Sequence, residues 1–361
     1  MLLYIRIDER LKGQVDKLVE SGKYDSFNSA ALAALQNLVV AEEDSSSIAS
    51  AIVKQESQAV APAPTDTRKS TPPQTRTALP NFLILPKNLK FPQKLIAPFP
   101  ADLFQHGQRV PIERWIFGQQ NRVLPLKINA RVFIRLILER GIEIELFEAA
   151  KEISKQAGEA YAFLNHLDEQ NSHTKDESLT IGFPEPGSDK AASRYANHFA
   201  AYESTQGSLS GMLIQWKLAG VKRSKNITYL IPTKACVDFA SLPNPILDAP
   251  SDGKVSQKFS LAEISWAIDH LARHVPVEAS AFTAVLAGIT SDKNSPDSLD
   301  KYLRETATDK KDISDEFIST QRSGAISRMA DLNLLKRIRD GTKVSYGVTD
   351  SGKKWLQKNQ K

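Results

Sequence analysis

Cysteine is nearly missing from this chain of 361 residues. With Cys236 alone, no internal disulfide can form and a zinc site built on cysteine pairs is excluded. Its apolar neighbours in "TKACVDFASL" place it in a core. Long apolar runs are missing as well. No stretch approaches 18 uninterrupted apolar residues, and the opening "MLLYIRIDERLKG" has no basic region followed by an apolar one. Neither a membrane span nor a secretory leader is expected, and the cytoplasm is the default compartment. A glycine-rich phosphate loop and a G-x-S-x-G elbow are also absent. His270 and His274 stand at i and i+4, but "HLARH" lacks the glutamate of a zincin and no third ligand is evident, so surface or capping histidines are expected. Glu143 and Glu145 lack the upstream aspartate and following lysine of a nuclease carboxylate pair. No enzymatic activity, metal or cofactor is expected.

What the chain does contain is enough apolar material, 41% of residues, for a large core and for two or three domains. Its formal charge is +5 with a pI near 9.0. The location of that charge says more than its sum. From Phe317 to Lys361 there are ten Lys and Arg against three Asp, a local excess of +7. Such a segment suits a polyanionic partner.

Residues 1–43 carry a compact pattern. "LLYIRID" alternates as a strand does, a first helix runs through Leu11, Val15, Leu18 and Val19 as far as Gly22, and a second begins at Asn28 or Ser29. One strand and two helices cannot bury both strand faces alone, so a second copy is required. This order resembles the ribbon-helix-helix family, whose two chains pair their strands into a ribbon that enters the DNA major groove. The resemblance implies a homodimer through residues 1–43, with Leu2, Tyr4 and Arg6 facing bases and the backbone around Asn28 and Ser29 holding a phosphate.

Residues 44–79 are rich in Ser, Ala, Thr and Pro and read as a disordered linker. As a flexible coil it spans about 30 to 35 Å, close to one turn of DNA. From Pro80 the chain is punctuated by proline and reads as an extended arm over a globular part. Helical patterns resume at "INARVFIRLILERG", "ELFEAAKEISKQAGEAYAFLNHL" and "SRYANHFAAYES".

The tripeptide Ser-Thr-Gln then occurs at 204–206 and again at 319–321, each time ahead of an apolar-periodic stretch, a basic alternating segment and a closing helix. In the second copy, Ala325, Ile326, Met329, Leu332 and Leu335 mark a helix over 323–335 that leaves Arg322, Ser323, Ser327 and Arg328 off the apolar stripe. "KRIRDGTKVSYGVT" is a hairpin around Asp340-Gly341, and a capped helix opens at Thr349 or Asp350. This order resembles the winged-helix family of DNA-binding domains. The resemblance implies a helix in the major groove, presenting Arg322, Ser323, Ser327 and Arg328 to base edges. A wing carrying Lys336, Arg337, Arg339 and Lys343 would lie on the phosphates. In the first copy, "SLSGMLIQWKLAG" takes the helix position and Lys222, Arg223 and Lys225 the wing.

The expected fold class is therefore mainly α with small β: a ribbon-helix-helix module over 1–43, a linker over 44–79, and two winged helix-turn-helix domains over 80–250 and 251–361, jointed at 243–254. The function this implies is a homodimeric protein binding double-stranded DNA, as a transcriptional regulator or a plasmid replication or partition factor. The alternative is an adaptor or scaffold subunit of a defence or mobile-element complex, whose winged helices contact protein partners.

Overall fold

The computed structural model describes residues 80–86, 89–101, 103–141, 143–248, 258–310 and 312–359, all within one compact unit that runs from Thr75 to Lys361. The segments 1–43 and 44–79 lie outside the described residues. The described part is mainly helical with small antiparallel sheets.

Helix α1, Leu124–Arg140, is central to the packing. Pro125 opens it, where a missing N–H costs nothing, and Gly141 stops it with a φ of 64° and an N–H donated to the Ile137 carbonyl. Thirteen of its 17 residues are buried, so it is covered almost all round and its polar side chains must find partners inside the protein. Lys127 lies 3.0 Å from the Glu263 carboxylate and donates to the carbonyls of Phe239 and Leu242 at 2.5 and 2.7 Å. Burial still lowers the Lys127 pKa to about 8, with Glu263 opposing the shift. Asn129 accepts from the Tyr195 hydroxyl at 2.6 Å, and Arg131 spans the Leu83, Ala240 and Leu242 carbonyls and Asp248.

Strand β1, Ile144–Glu145, leads into the amphipathic α2, Leu146–Gln170. Next come α3, Asp189–Tyr195, continued by a π turn over Ala196–Ala200, and the short pair β2, Tyr202–Glu203, with β3, Leu209–Ser210. Helix α4 is Met212–Gln215, after which β4, Ala219–Ser224, turns through Lys225 and Asn226 into β5, Ile227–Pro232. Both turn residues have positive φ, 49° and 63°, as a tight two-residue hairpin requires. The three-stranded antiparallel sheet has the order β1-β5-β4, with Ile144 opposite Leu230, and α5, Lys234–Ser241, follows.

Among the described residues, the second half consists of four helices, a hairpin and a closing helix. Helix α6, Leu261–His274, starts at a capping box in which Ser260 and Glu263 satisfy each other's backbone N–H groups. Helices α7, Pro276–Thr290, α8, Pro296–Ala307, and α9, Asp315–Asp331, precede the hairpin of β6, Leu335–Asp340, and β7, Lys343–Val348. Helix α10, Asp350–Asn359, closes the described chain. The Tyr346 N–H donates to the Asn294 carbonyl at 2.8 Å, joining the α7–α8 connection to the hairpin edge.

Several expectations are corrected. The helix expected over "SLSGMLIQWKLAG" is strand β3 and the single turn α4, because Gly211 sits at φ 97°, outside helical space. The helix expected over 323–335 begins at Asp315, capped by Ser314, and ends at Asp331. The proline-punctuated arm contains short 3-10 turns at Asn81–Leu83 and Gln93–Leu95, and Leu83 is buried in the core. In the expected joint, Asn244, Ile246 and Leu247 are buried. Cys236 is buried as its neighbours implied, and burial raises its thiol pKa.

His270 is not a surface histidine. It is buried, stacked 4.7 Å from Trp266, and its Nε2 lies 2.7 Å from the Trp216 carbonyl, an acceptor that fixes Nε2 as the protonated nitrogen. Burial depresses its pKa from 6.5 to about 4. The unfolded chain therefore takes up a proton at this site below about 6.5 while the folded chain does not, so stability present above 6.5 is lost as pH falls towards 4. The expected loss is about 3 kcal/mol, from roughly 2.5 pK units at 1.36 kcal/mol each. Urea unfolding at pH 7.5 and 4.5 reads it, and His270→Gln is expected to flatten that difference; an unchanged difference would show that other groups carry it.

Candidate nucleic-acid interface

The residues expected to read bases divide sharply by burial. Arg328, on the inner side of α9, is 0% exposed. Its Nε and Nη2 donate to the two oxygens of Glu278 on α7, and its Nη1 donates to the Gln120 carbonyl at 2.6 Å. Glu278 is equally buried. Arg322 is also buried, forked onto Asp300 of α8 at 2.6 and 3.2 Å and donating to the Tyr346 hydroxyl at 2.9 Å. Ser327 donates to the Ser323 carbonyl and accepts from Arg337 at 2.7 Å. Arg322, Ser327 and Arg328 are thus internal ties, and their assignment to base edges is corrected: a side chain without solvent exposure cannot enter a groove without unpacking its helix. Ser323 alone of the four is exposed.

The reason is that α9 is covered on two sides. One side packs on its own hairpin and α7. The other meets the segment 112–121, where the Gly118 N–H donates to the Gln321 side chain at 2.5 Å and the two backbones touch at Gly118 and Gly324.

The hairpin residues fare differently. Across the β6–β7 ladder, Lys336 pairs with Gly347 and Asp340 with Lys343, which puts Lys336 and Lys343 on one face together with the exposed Ile338. Both lysines are exposed, and none of the ion pairs among the described residues engages them. Arg337 and Arg339 project from the opposite face. They reach Asp176 in the α2–α3 connection, at 3.9 Å and 2.5 Å. There they line a cleft of about 670 Å³ with Arg122, Lys258, Glu177 and Asp331. Its charges are largely matched: Asp331 pairs with Arg122 at 3.5 Å, and burial lowers the pKa of Lys258.

In the first hairpin Lys222 and Arg223 are exposed but paired, with Glu143 and Glu203, each at 2.8 Å, and Lys225 occupies the turn. Tyr4, Arg6, Asn28 and Ser29 lie outside the described residues. Sequence reasoning did not single out Lys353 and Lys354, both exposed on α10. The signal was present in "DSGKKWLQK", where Trp355 and Leu356 define the buried side. Among the described residues no cluster of His, Cys, Asp or Glu could hold a metal ion, and no helix is long and apolar enough to cross a membrane.

No protein-family model matches the chain, and neither does any curated protein or solved structure.

Proposed function

We propose that the chain is a non-enzymatic protein that binds duplex DNA chiefly by its sugar-phosphate backbone, through the outer face of hairpin β6–β7 and the lysines of α10. Residues 1–43 pair two chains as a ribbon-helix-helix dimer, and the two helix–hairpin segments act as winged-helix units. What supports the winged-helix reading is the β1-β5-β4 order in the first half and the Asn294–Tyr346 bridge beside the second hairpin. The observation that carries the binding reading is the pair Lys336 and Lys343, exposed on one hairpin face and engaged by no carboxylate among the described residues. Free ammonium groups on a projecting ribbon can displace counterions from phosphates; the arginines that would have read bases are held inside. The function is accordingly that of a regulator or a replication or partition factor whose C-terminal contacts are tolerant of sequence.

The test is the salt dependence of affinity for a fluorescent duplex. Lys336→Ala with Lys343→Ala is expected to lower the log-log slope by about 1.8, from roughly 0.9 per lost phosphate contact, and to weaken unrelated sequences alike. An unchanged slope refutes the hairpin as the interface. In light scattering, removal of residues 1–43 is expected to turn a dimer into a monomer, and an unaltered mass refutes the ribbon pairing.

A second reading is favoured by the internal arginines: an adaptor that uses its winged-helix units for protein contacts. Asp315 and Glu316 are exposed at the start of α9, a charge that repels phosphate. Absence of duplex binding at low salt would support it.

A further inference from the structure

A wide concavity of about 1300 Å³ lies away from the basic hairpin, between α2, the segment 184–205 and the turn of the first hairpin. Small apolar residues, among them Ala150, Ala162, Ala192 and Ala196, contribute to its lining. Large apolar side chains border it. The described residues leave eight such side chains exposed, and three of them, Phe147 at 72%, Tyr202 at 41% and Ile227 at 40%, converge here from a helix, a strand and a hairpin. Scattered exposed apolar residues need no explanation, but a cluster around a concavity marks a place that another apolar surface covers.

Charge narrows the occupant. Seven carboxylates line the groove against two lysines, Lys151 and Lys155, a local balance of −5. Three are met by neighbours: Glu148 by Arg140, Glu152 by Lys155 and Glu203 by Arg223. Glu145, Glu159, Glu185 and Asp189 complete the rim. This stands against a chain whose total is +5. Such a rim repels nucleic acid and favours cationic groups. The volume exceeds the roughly 300 to 1,000 Å³ of small-molecule sites, and an apolar trough flanked by charge is the form in which helical or extended peptides are held by apolar anchors.

We propose that this groove docks a short cationic, amphipathic segment of a partner protein, its bulky apolar side chains covering Phe147, Tyr202 and Ile227 and its Lys or Arg residues facing Glu145, Glu159, Glu185 and Asp189. The surface is separate from Lys336 and Lys343, so the docking stands or falls independently of duplex binding.

The probes are two labelled 14-residue helical peptides of equal leucine content, one with lysine and one with glutamate as its polar residue, titrated into the full chain by fluorescence anisotropy. The lysine peptide is expected to bind at least tenfold more tightly than the glutamate peptide. Phe147→Ser, which alters a largely exposed side chain, and the pair Glu159→Lys with Glu185→Lys are each expected to weaken it about tenfold or more, leaving the circular dichroism spectrum and the duplex salt slope unchanged. Equal binding of the two peptides, or lysine-peptide binding indifferent to both sets of variants, overturns the proposal. A self-association of the wild-type chain that Phe147→Ser abolishes would assign the groove to a second copy and also overturns it.

Discussion

Replacing Arg328 with Met is expected to cost the protein about 3 to 5 kcal/mol of stability, the range for breaking a buried ion pair by removing one partner. Arg328 and Glu278 are both fully buried, and the guanidinium also satisfies the Gln120 carbonyl. Without it, the Glu278 carboxyl group is left buried with neither water nor a counterion beside it. Glu278→Gln alone is expected to be nearly as harmful, since it strands the cation. The double replacement Arg328→Met with Glu278→Leu removes both charges and is expected to recover most of the loss, because an apolar pair of similar volume can substitute for a buried salt bridge. Urea denaturation of the four proteins closes the cycle. Duplex binding separates this role from base reading: an internal tie leaves the sequence preference of the folded Arg328→Met protein unaltered, whereas a change confined to one base pair, with stability intact, would restore Arg328 to the groove.

Why α9 was misjudged is a matter of how many neighbours a helix has. The stripe of Ala325, Ile326, Met329, Leu332 and Leu335 names the side that packs on α7 and the hairpin, and a periodicity argument then sends everything else to solvent. That inference holds for a helix at the edge of a domain. Helix α9 has a second covered side, against the segment 112–121, and no apolar stripe announces it. Its marks are Gly324 and Gln321: a residue without a side chain for a close backbone approach, and an amide that accepts from the Gly118 N–H and donates to the Ile112 carbonyl. Arginine in such a place is ambiguous in sequence, because its partners, Glu278 and Asp300, are 50 and 22 residues away.

Elsewhere the local signals were sufficient. Asp340-Gly341 and the alternation around it located β6 and β7. Thr349-Asp350 located the start of α10, and the long apolar patterns located α1 and α2. These elements are specified by residues within a few positions of each other. The acidic groove was invisible for the opposite reason. Phe147, Tyr202 and Ile227 are 55 and 25 residues apart along the chain, and only the packing of α2 against the π turn and of β1 against β5 brings them to one rim. His270 failed in the same way, since its acceptor, the Trp216 carbonyl, comes from a different half of the described chain.

The clasp between α9 and the first half makes the second large effect. A Cβ added to Gly324 would fall 2.5 Å from the Gly118 Cα and closer still to the Gly118 carbonyl oxygen, and one added to Gly118 would come within 2.9 Å of the Gln321 nitrogen. Neither obstacle is a side chain that can swing away. Gly324→Ala must therefore push α9 off the 112–121 segment, which strains the Gln321 amide bridge and the Arg328 contact to Gln120 together. The expected cost is about 3 kcal/mol, at the upper end for overpacking, despite the gain of a better helix former. Gly158 on α2 provides the contrast, since a Cβ there meets nothing within 4 Å, and Gly158→Ala is expected to stabilise by about 0.5 to 1 kcal/mol. Thermal melts of both variants distinguish a helix clasped on two sides from one free to present a face. If Gly324→Ala melts as the wild type does, α9 is not held against the 112–121 segment in solution, and its arginines become available for a groove after all.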